Sequence, residues 1–402
     1  MSVNAAIERF AADMGWVVKY AKDGTPNFFY PIYKCKSSDL DPSLPEHVHP
    51  AFIVNNKEID RRLIAVYKGS LSNGAIHSIA NMPPRVSAGA DQLLAEIKAA
   101  GDGFGPKTVA DSGLLLLLAR KYNWTPKGNN NYGVDYRDGT PWQTGKNATE
   151  GSVFVFQGVQ YTCTKAHTTS VENRPDQSSG FWDKGPRVGG VMVAGQQNSD
   201  NNYNGYNTLT GSGPASWNHD GTPSGINDLN GNCFDQDYGY RIYDGELQIL
   251  ENNNAADPDA DLSASSASWK AILPNAADNG YTLVAPGTAG TLHWTWQNGK
   301  ITLDTVAPEF DDEYRGTDFK NLAVNTANVP YVPCILQELG LFPISGDDTQ
   351  GYYYVQMARG ERFPRRGGNC NDTSGAGLGY VNSGHSRGTG NVSYGVRSAY
   401  FE

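Results

Sequence analysis

The stretch Gly351–Glu402, GYYYVQMARGERFPRRGGNCNDTSGAGLGYVNSGHSRGTGNVSYGVRSAYFE, decides how this chain is read. It opens on Tyr352-Tyr353-Tyr354, whose side chains would point alternately to opposite faces, and so predicts a strand. Arg366-Gly367-Gly368 ends the next segment. The chain then turns almost wholly small, polar and aromatic, with Asn369, Asn371, Asp372, Ser374, Tyr380, Asn382, Gly384, His385, Thr389, Asn391 and Ser393. Tyr394–Phe401 closes it as a second strand. The middle has a paratope's composition: Tyr offers contact area at low entropic cost, and Ser, Gly and Asn offer adaptable hydrogen bonds. An ordinary polar loop has the same composition. What favours display is the framing by an Arg-Gly-Gly shoulder on one side and Gly395-Val396-Arg397-Ser398-Ala399 on the other.

Outward from that stretch, composition sets bounds. The 402 residues are 39% hydrophobic and only 18% charged, which is globular composition. With 46 Gly, 22 Tyr and few helix-periodic segments, a loop-rich α+β fold with short strands is expected. The net charge of −10, with basic residues clustered only at Arg359–Arg366, argues against nucleic acid as a partner. Cys35, Cys163, Cys233, Cys334 and Cys370 are odd in number and widely spaced. They suggest neither a zinc site nor a disulfide framework, but reduced thiols of a protein made in a cytoplasm. The N-terminus lacks a signal peptide's basic and apolar regions, and no apolar run is long enough for membrane insertion.

Along the chain, Ala5–Met14 predicts a short helix, and Asp23-Gly24 a turn between strands at Trp16–Tyr20 and Phe28–Lys34. Pro50–Asn55 and Arg62–Lys68 read as further strands. Two helices follow. One spans Asp91–Ala100, with Leu93, Leu94 and Ile97 on one face. The other is N-capped by Thr108 or Asp111 and carries Leu114–Leu118; being apolar nearly all round, it must be buried.

The tail resembles the variable region of C-type-lectin-fold proteins diversified by retroelements, which share the fold of formylglycine-generating enzymes and are common on phage tail fibres. The residues carrying the likeness are Arg366-Gly367-Gly368-Asn369-Cys370-Asn371, Gly377-Leu378-Gly379, Arg387–Asn391 and Gly395–Ala399. Upstream, Asn123–Gly133, Thr208–Gly221, Asp228-Leu229-Asn230-Gly231-Asn232 and Asp244–Asn254 resemble landmarks of the tail-fibre branch. Cys370 and Val396 depart from the family pattern, which has aromatics at both places. The order of strands, two helices and a long loop-rich remainder also suits that fold. Read from the residues themselves, the asparagines and glycines of these landmarks serve as scaffold, supplying left-handed turns that pin loops.

The resemblance implies a single domain in two parts, 1–137 and 187–402, with the variable region at about 351–402. It implies a non-enzymatic receptor-binding protein, a tail-tip adhesin on the virion that contacts a bacterial surface protein or glycan through the eleven small and aromatic residues named above. Arg366, Gly367, Gly368, Gly395 and Arg397 would be framework. A homotrimer held by other tail proteins suits that role, and no cofactor is implied beyond structural calcium.

Between these parts, residues 138–186 interrupt the pattern. Alternating strands around Gly158 predict a hairpin, and the order of its aromatics resembles small chitin-binding modules. In such modules Trp142, Tyr161 and Trp182 would stack sugars; the size of the unit favours a structural or protein-contact role, with the three rings as its core. Two rival functions follow: a glycan-binding module acting through this insert, and an oxidase of the formylglycine-generating type, which needs a cysteine pair. His47 and His49 lie in a Pro-flanked loop with no third ligand nearby in sequence. Asp257, Asp259 and Asp261 lack the glycine and distal glutamate of an EF-hand. Asp311-Asp312-Glu313 and the asparagine loops are the remaining places for calcium.

Overall fold

Strand Ser398–Tyr400 inserts between Arg61–Ala65 and Phe104–Pro106 and completes a five-stranded sheet with Val17–Tyr20 and Pro26–Tyr33. The two ends of the chain are thereby built into one unit. The computed structural model describes residues 2–177, 180–196, 203–275, 280–346 and 348–402. It is a strand-rich α+β protein with few helices. None of its described helices is long and apolar enough to cross a membrane.

The three anticipated helices form at Val3–Asp13, Ala90–Lys98 and Val109–Lys121. The last begins in a capping box: Asp111 N–H donates to the Thr108 hydroxyl, and Thr108 N–H donates to the Asp111 carboxylate. Its leucines, Leu114 to Leu117, are fully packed in the main core. Asp23-Gly24 makes the expected turn, with Gly24 at φ +83° and Thr25 N–H bonded to the Asp23 carboxylate. Pro50–Asn55 differs from expectation. Pro50–Phe52 is a 3₁₀ turn capped by His49, and only Ile53–Val54 is strand. Proline's fixed φ and missing N–H suit the first turn of a helix better than a ladder.

A second sheet carries the C-terminal stretch. Its order is Tyr314–Asp318, Tyr352–Gln356, Gly377–Ser383, Arg365–Gly367, Phe234–Gln236 and Tyr394–Gly395. Register decides its faces. Tyr353 pairs with Val381, Val381 with Arg366 and Arg366 with Asp235, and these point inward. Tyr354 pairs with Asn382, Asn382 with Arg365, and Phe234 with Tyr394, and these share the opposite face. Tyr353, Val355 and Val381 join the main core.

Behind the sheet lies a buried ion network. Asp235 bonds Lys68 (2.8 Å) and Arg397 (3.0 Å), and Asp237 bonds Lys107 (2.5 Å) and Arg366 (3.1 Å). Burial would raise the Asp235 carboxyl, but Lys68 and Arg397, with Lys107 beyond them, hold it far below the usual range. A third, larger sheet occupies much of residues 240–324.

The insert builds its own sheets. Val153–Phe156, Val159–Cys163 and Trp182–Arg187 form three strands, and Asn147–Ala148 pairs with His167–Thr168. Its last strand runs one residue past the expected boundary at 186, and residues 178–179 lie outside those described. Asn204 fastens it to the body, accepting from Gln157 N–H and donating to the Trp142 carbonyl.

Candidate functional site

The outer face of the six-stranded sheet is aromatic, and two loops rise around it. Loop 368–376 is held by main-chain bonds: Thr373 N–H donates to the Asn130 carbonyl (2.9 Å), and Tyr132 N–H to the Cys370 carbonyl (2.7 Å). The anchoring loop is itself fixed by buried amides. Asn130 donates to Asp135 (2.9 Å), Asn230 to the Pro126 carbonyl (2.8 Å), and Asn232 accepts from Thr208 N–H (2.9 Å). Asp228 and Asn232 adopt left-handed backbone. The scaffold role expected of these asparagines holds.

Loop 385–393 is anchored through Arg387, which bonds Glu361 and Asp91 and lies 4.2 Å over the Phe363 ring. Phe234 N–H reaches the Ser393 carbonyl (2.7 Å), and Ser87 N–H the Asn391 carbonyl (2.9 Å). The expected framework residues are framework. Arg366 donates to the Leu339 and Gly340 carbonyls, and Arg397 to those of Ala65 and Asn227. Gly367 sits at φ +89°, where a Cβ would lie 2.7 Å from the Leu229 carbonyl oxygen. A Cβ at Gly395 would meet the Cys233 sulfur at 2.6 Å.

Between the loops lies an open concavity of ≈ 400 Å³. Seven of the eleven residues named from the sequence line it: Asn369, Asp372, Tyr380, Asn382, His385, Asn391 and Ser393. The other four do not. Asn371 and Ser374 are exposed outside it, and the Thr389 carbonyl accepts from Arg365 (3.0 Å). Gly384 is a close-approach position, because a Cβ there would meet the Tyr314 ring at 2.5 Å. Phe234, Tyr314, Tyr354 and Tyr394 complete the lining and had not been singled out. Tyr354 was visible in the alternating tyrosines and Tyr394 in the closing strand. Phe234 and Tyr314 had no local signal.

Phe234, Tyr380 and Tyr394 form a packed floor with Tyr352 and Tyr354 against it. Their rings are tilted: Phe234 and Tyr380 at 54°, Phe234 and Tyr394 at 64°, Tyr354 and Tyr380 at 45°. His385 lies between the rings of Tyr314 (5.7 Å) and Tyr394 (5.5 Å). Burial, then Arg365 and Arg362, push its pKa down, which favours the neutral imidazole. Arg365 is fully buried, 4.0 Å over the Tyr394 ring. Burial lowers its pKa to about 10, so it remains charged. Asp372 is the one acid of the lining. Burial raises its carboxyl to about 6, against a bond from Asn369 N–H (2.8 Å).

The insert's aromatics are placed otherwise. Trp142, Tyr161 and Trp182 are 0%, 8% and 4% exposed and constitute its core with Phe156 and Val159. Trp142 meets Phe156 edge-on, and the Trp182 indole N–H donates to the Asn173 carbonyl (2.6 Å). Their ring faces are used in packing, so the sugar-stacking role drawn from them is corrected.

Cys233 and Cys370 are both buried near the concavity. Burial raises the Cys233 thiol to about 12 and pushes Cys370 up as well, which disfavours the thiolate that redox chemistry needs. Among the described residues no group of three or more His, Cys, Asp or Glu is placed to hold a metal ion. His47 and His49 instead serve Glu338: His47 Nε2 lies 2.6 Å from its carboxylate, and His49 Nε2 lies 3.1 Å from its carbonyl. Asp257 accepts from Asp259 N–H in a turn.

No family model matches the chain, and a search of curated proteins finds no match.

Proposed function

We propose that this protein is a non-enzymatic recognition protein whose binding face is the concavity on the six-stranded sheet. One observation carries the reading: side chains from residues 369–393, with no regular period, converge on one cavity whose walls are pinned by main-chain bonds. The rest of the lining is aromatic, and phenols with amides suit adaptable non-covalent contact. The buried thiols add nothing to an oxidase reading, and the hydroxyl beside His385 is the Tyr314 phenol, 3.4 Å from its Nδ1.

The finer reading follows the resemblance. The domain would be a C-type-lectin-like variable protein of a retroelement system, displayed as a homotrimer on a phage tail tip, contacting a host surface protein or glycan. A firm contact needs about 800 Å² per partner. One concavity with a rim of small residues offers less, so several copies would bind together.

The test uses labelled protein on a panel of bacterial cells. The variant Tyr354→Ala/Asn382→Ala/Asn391→Ala should lose binding while its melting temperature stays close to the parent's. Undiminished binding by that folded variant would sink the reading. Mass photometry checks the trimer. A near-copy of the coding stretch for residues 369–393, differing only at adenines beside a reverse transcriptase gene, checks the diversification.

A further inference from the structure

Five aromatic rings and one carboxylate line the concavity, and none of its eleven lining residues is Lys or Arg. A carboxylate that has lost part of its water ordinarily finds a cation. Asp372 has only the backbone N–H of Asn369 to support its charge. Elsewhere Asp235, Asp237 and Asp111 each hold a cation, Asp304 and Glu246 are met by several amide, hydroxyl or N–H donors, and Asp228 accepts from the Gly211 N–H. What sets Asp372 apart is its place in the lining of an open concavity, where a ligand can supply the cation.

The rings point the same way. A sugar stacks on a flat, exposed ring face, whereas the rings here stand at 45° to 64° to one another. Phe234, Tyr380 and Tyr394 are packed into the floor, so the rings that solvent reaches are Tyr314 and Tyr354, and an open ring face attracts a compact cation. The ≈ 400 Å³ available is near the lower end for ligand sites and suits one side chain or headgroup.

We propose that the concavity takes a cationic ligand group, an alkylammonium or a guanidinium, with Asp372 as counter-ion and Tyr354 and Tyr380 beside it. This rests on the concavity being the recognition site. Position within it follows from charge. The groups facing Asp372 are the phenols of Tyr354, Tyr380 and Tyr394 and the Cys370 thiol, all raised and therefore neutral near pH 7. The Arg365 guanidinium lies behind Tyr394 and, with Arg362, acts on His385. The His385 end therefore repels a cation, and the Asp372 end holds it.

Choline, its neutral isostere 3,3-dimethylbutan-1-ol, N-acetyl-lysine amide and N-acetyl-arginine amide are titrated by NMR into the full chain and into Asp372→Asn. Asparagine can still accept the Asn369 N–H, so the loop should keep its shape. At least one cationic probe should bind the parent about tenfold more tightly than the isostere. Its affinity should fall about tenfold between pH 7.5 and pH 5 as Asp372 takes up a proton. The variant should lose both the preference and the pH dependence. Choline above the amides identifies a quaternary headgroup as the source; the amides above choline identify a basic side chain. Equal binding of the isostere, unchanged affinity in Asp372→Asn, or no binding of any cationic probe overturns the assignment. If the assignment falls while Tyr354→Ala/Asn382→Ala/Asn391→Ala still abolishes binding to cells, the recognition site stands and only its ligand class is wrong.

Discussion

Two regions of this molecule are rich in aromatic side chains: the insert packs its large rings inside, whereas the six-stranded sheet packs Phe234, Tyr380 and Tyr394 and leaves others open. In the insert, Trp142 and Trp182 are 0% and 4% exposed. On the six-stranded sheet, Tyr314 is 50% exposed, and Tyr354 stands half-buried at the wall of the concavity. The reason is size and support. A unit of about 50 residues has so much surface for its volume that every large ring is needed inside. The sheet has its inner face served by the leucine helix and by Tyr353, Val355 and Val381. Its outer face is free for other work. Aromatic content alone does not mark a binding site; what the opposite face packs against decides.

The sharpest way to break this contrast is to truncate one ring of the insert. Trp142→Ala should cost about 3–5 kcal/mol, seen as early local melting of the insert by hydrogen exchange, with binding to cells unaffected. Little loss of protection there would mean that Trp142 is not core.

Next in size is a titration on the sheet side. The folded-state carboxyl of Asp372 is raised to about 6 from an ordinary value of 3.8. Between those values the folded chain keeps a proton that the unfolded chain has released. Stability therefore falls as pH rises through that window, and the full loss persists above it. Solvent reaches this carboxylate, so the discounted effect is about 1–2 kcal/mol. Asp372→Asn should be more stable than the parent at pH 7.5 by that amount, and indistinguishable from it near pH 3.5. A variant that is less stable at neutral pH contradicts the sign. The smallest effect is expected at Asn371, exposed and outside the concavity. Asn371→Ala should shift stability by no more than about 0.5 kcal/mol, and chemical denaturation can check it.

Local signals carried much of this fold. Thr108 and Asp111 mark a capped helix whose leucines leave no polar face, and burial follows from that alone. Tyr352-Tyr353-Tyr354 alternates and does divide between two faces. The Asn-Gly landmarks supply left-handed turns, as their chemistry requires. What escaped was pairing over distance. Phe234 reaches Tyr394 through a parallel ladder, and Tyr314 arrives at the rim by lying beside Tyr352–Gln356. Neither stretch has a period or turn residue that names its neighbour. Asn371, Ser374 and Thr389 look like Asn369 and Asn391 in sequence, because small polar residues in a loop have no periodicity to say which way they face. Pro50–Asn55 misled for a different reason: its apolar run suggested a strand, but proline's geometry governed the first turn.

The arginine at position 397 reaches the carbonyl of Ala65 across 332 positions of chain. Everything between must be translated in frame before that contact can form. A shifted or interrupted reading of codons 369–393 would remove Arg397 together with the closing strand. Asp235 would lose one of its two cations, and Arg61–Ala65 would be left with an open edge. Such a chain would lack the strand that joins Arg61–Ala65 to Phe104–Pro106. Closure of the first sheet thus requires that the chain be read in frame through its closing strand.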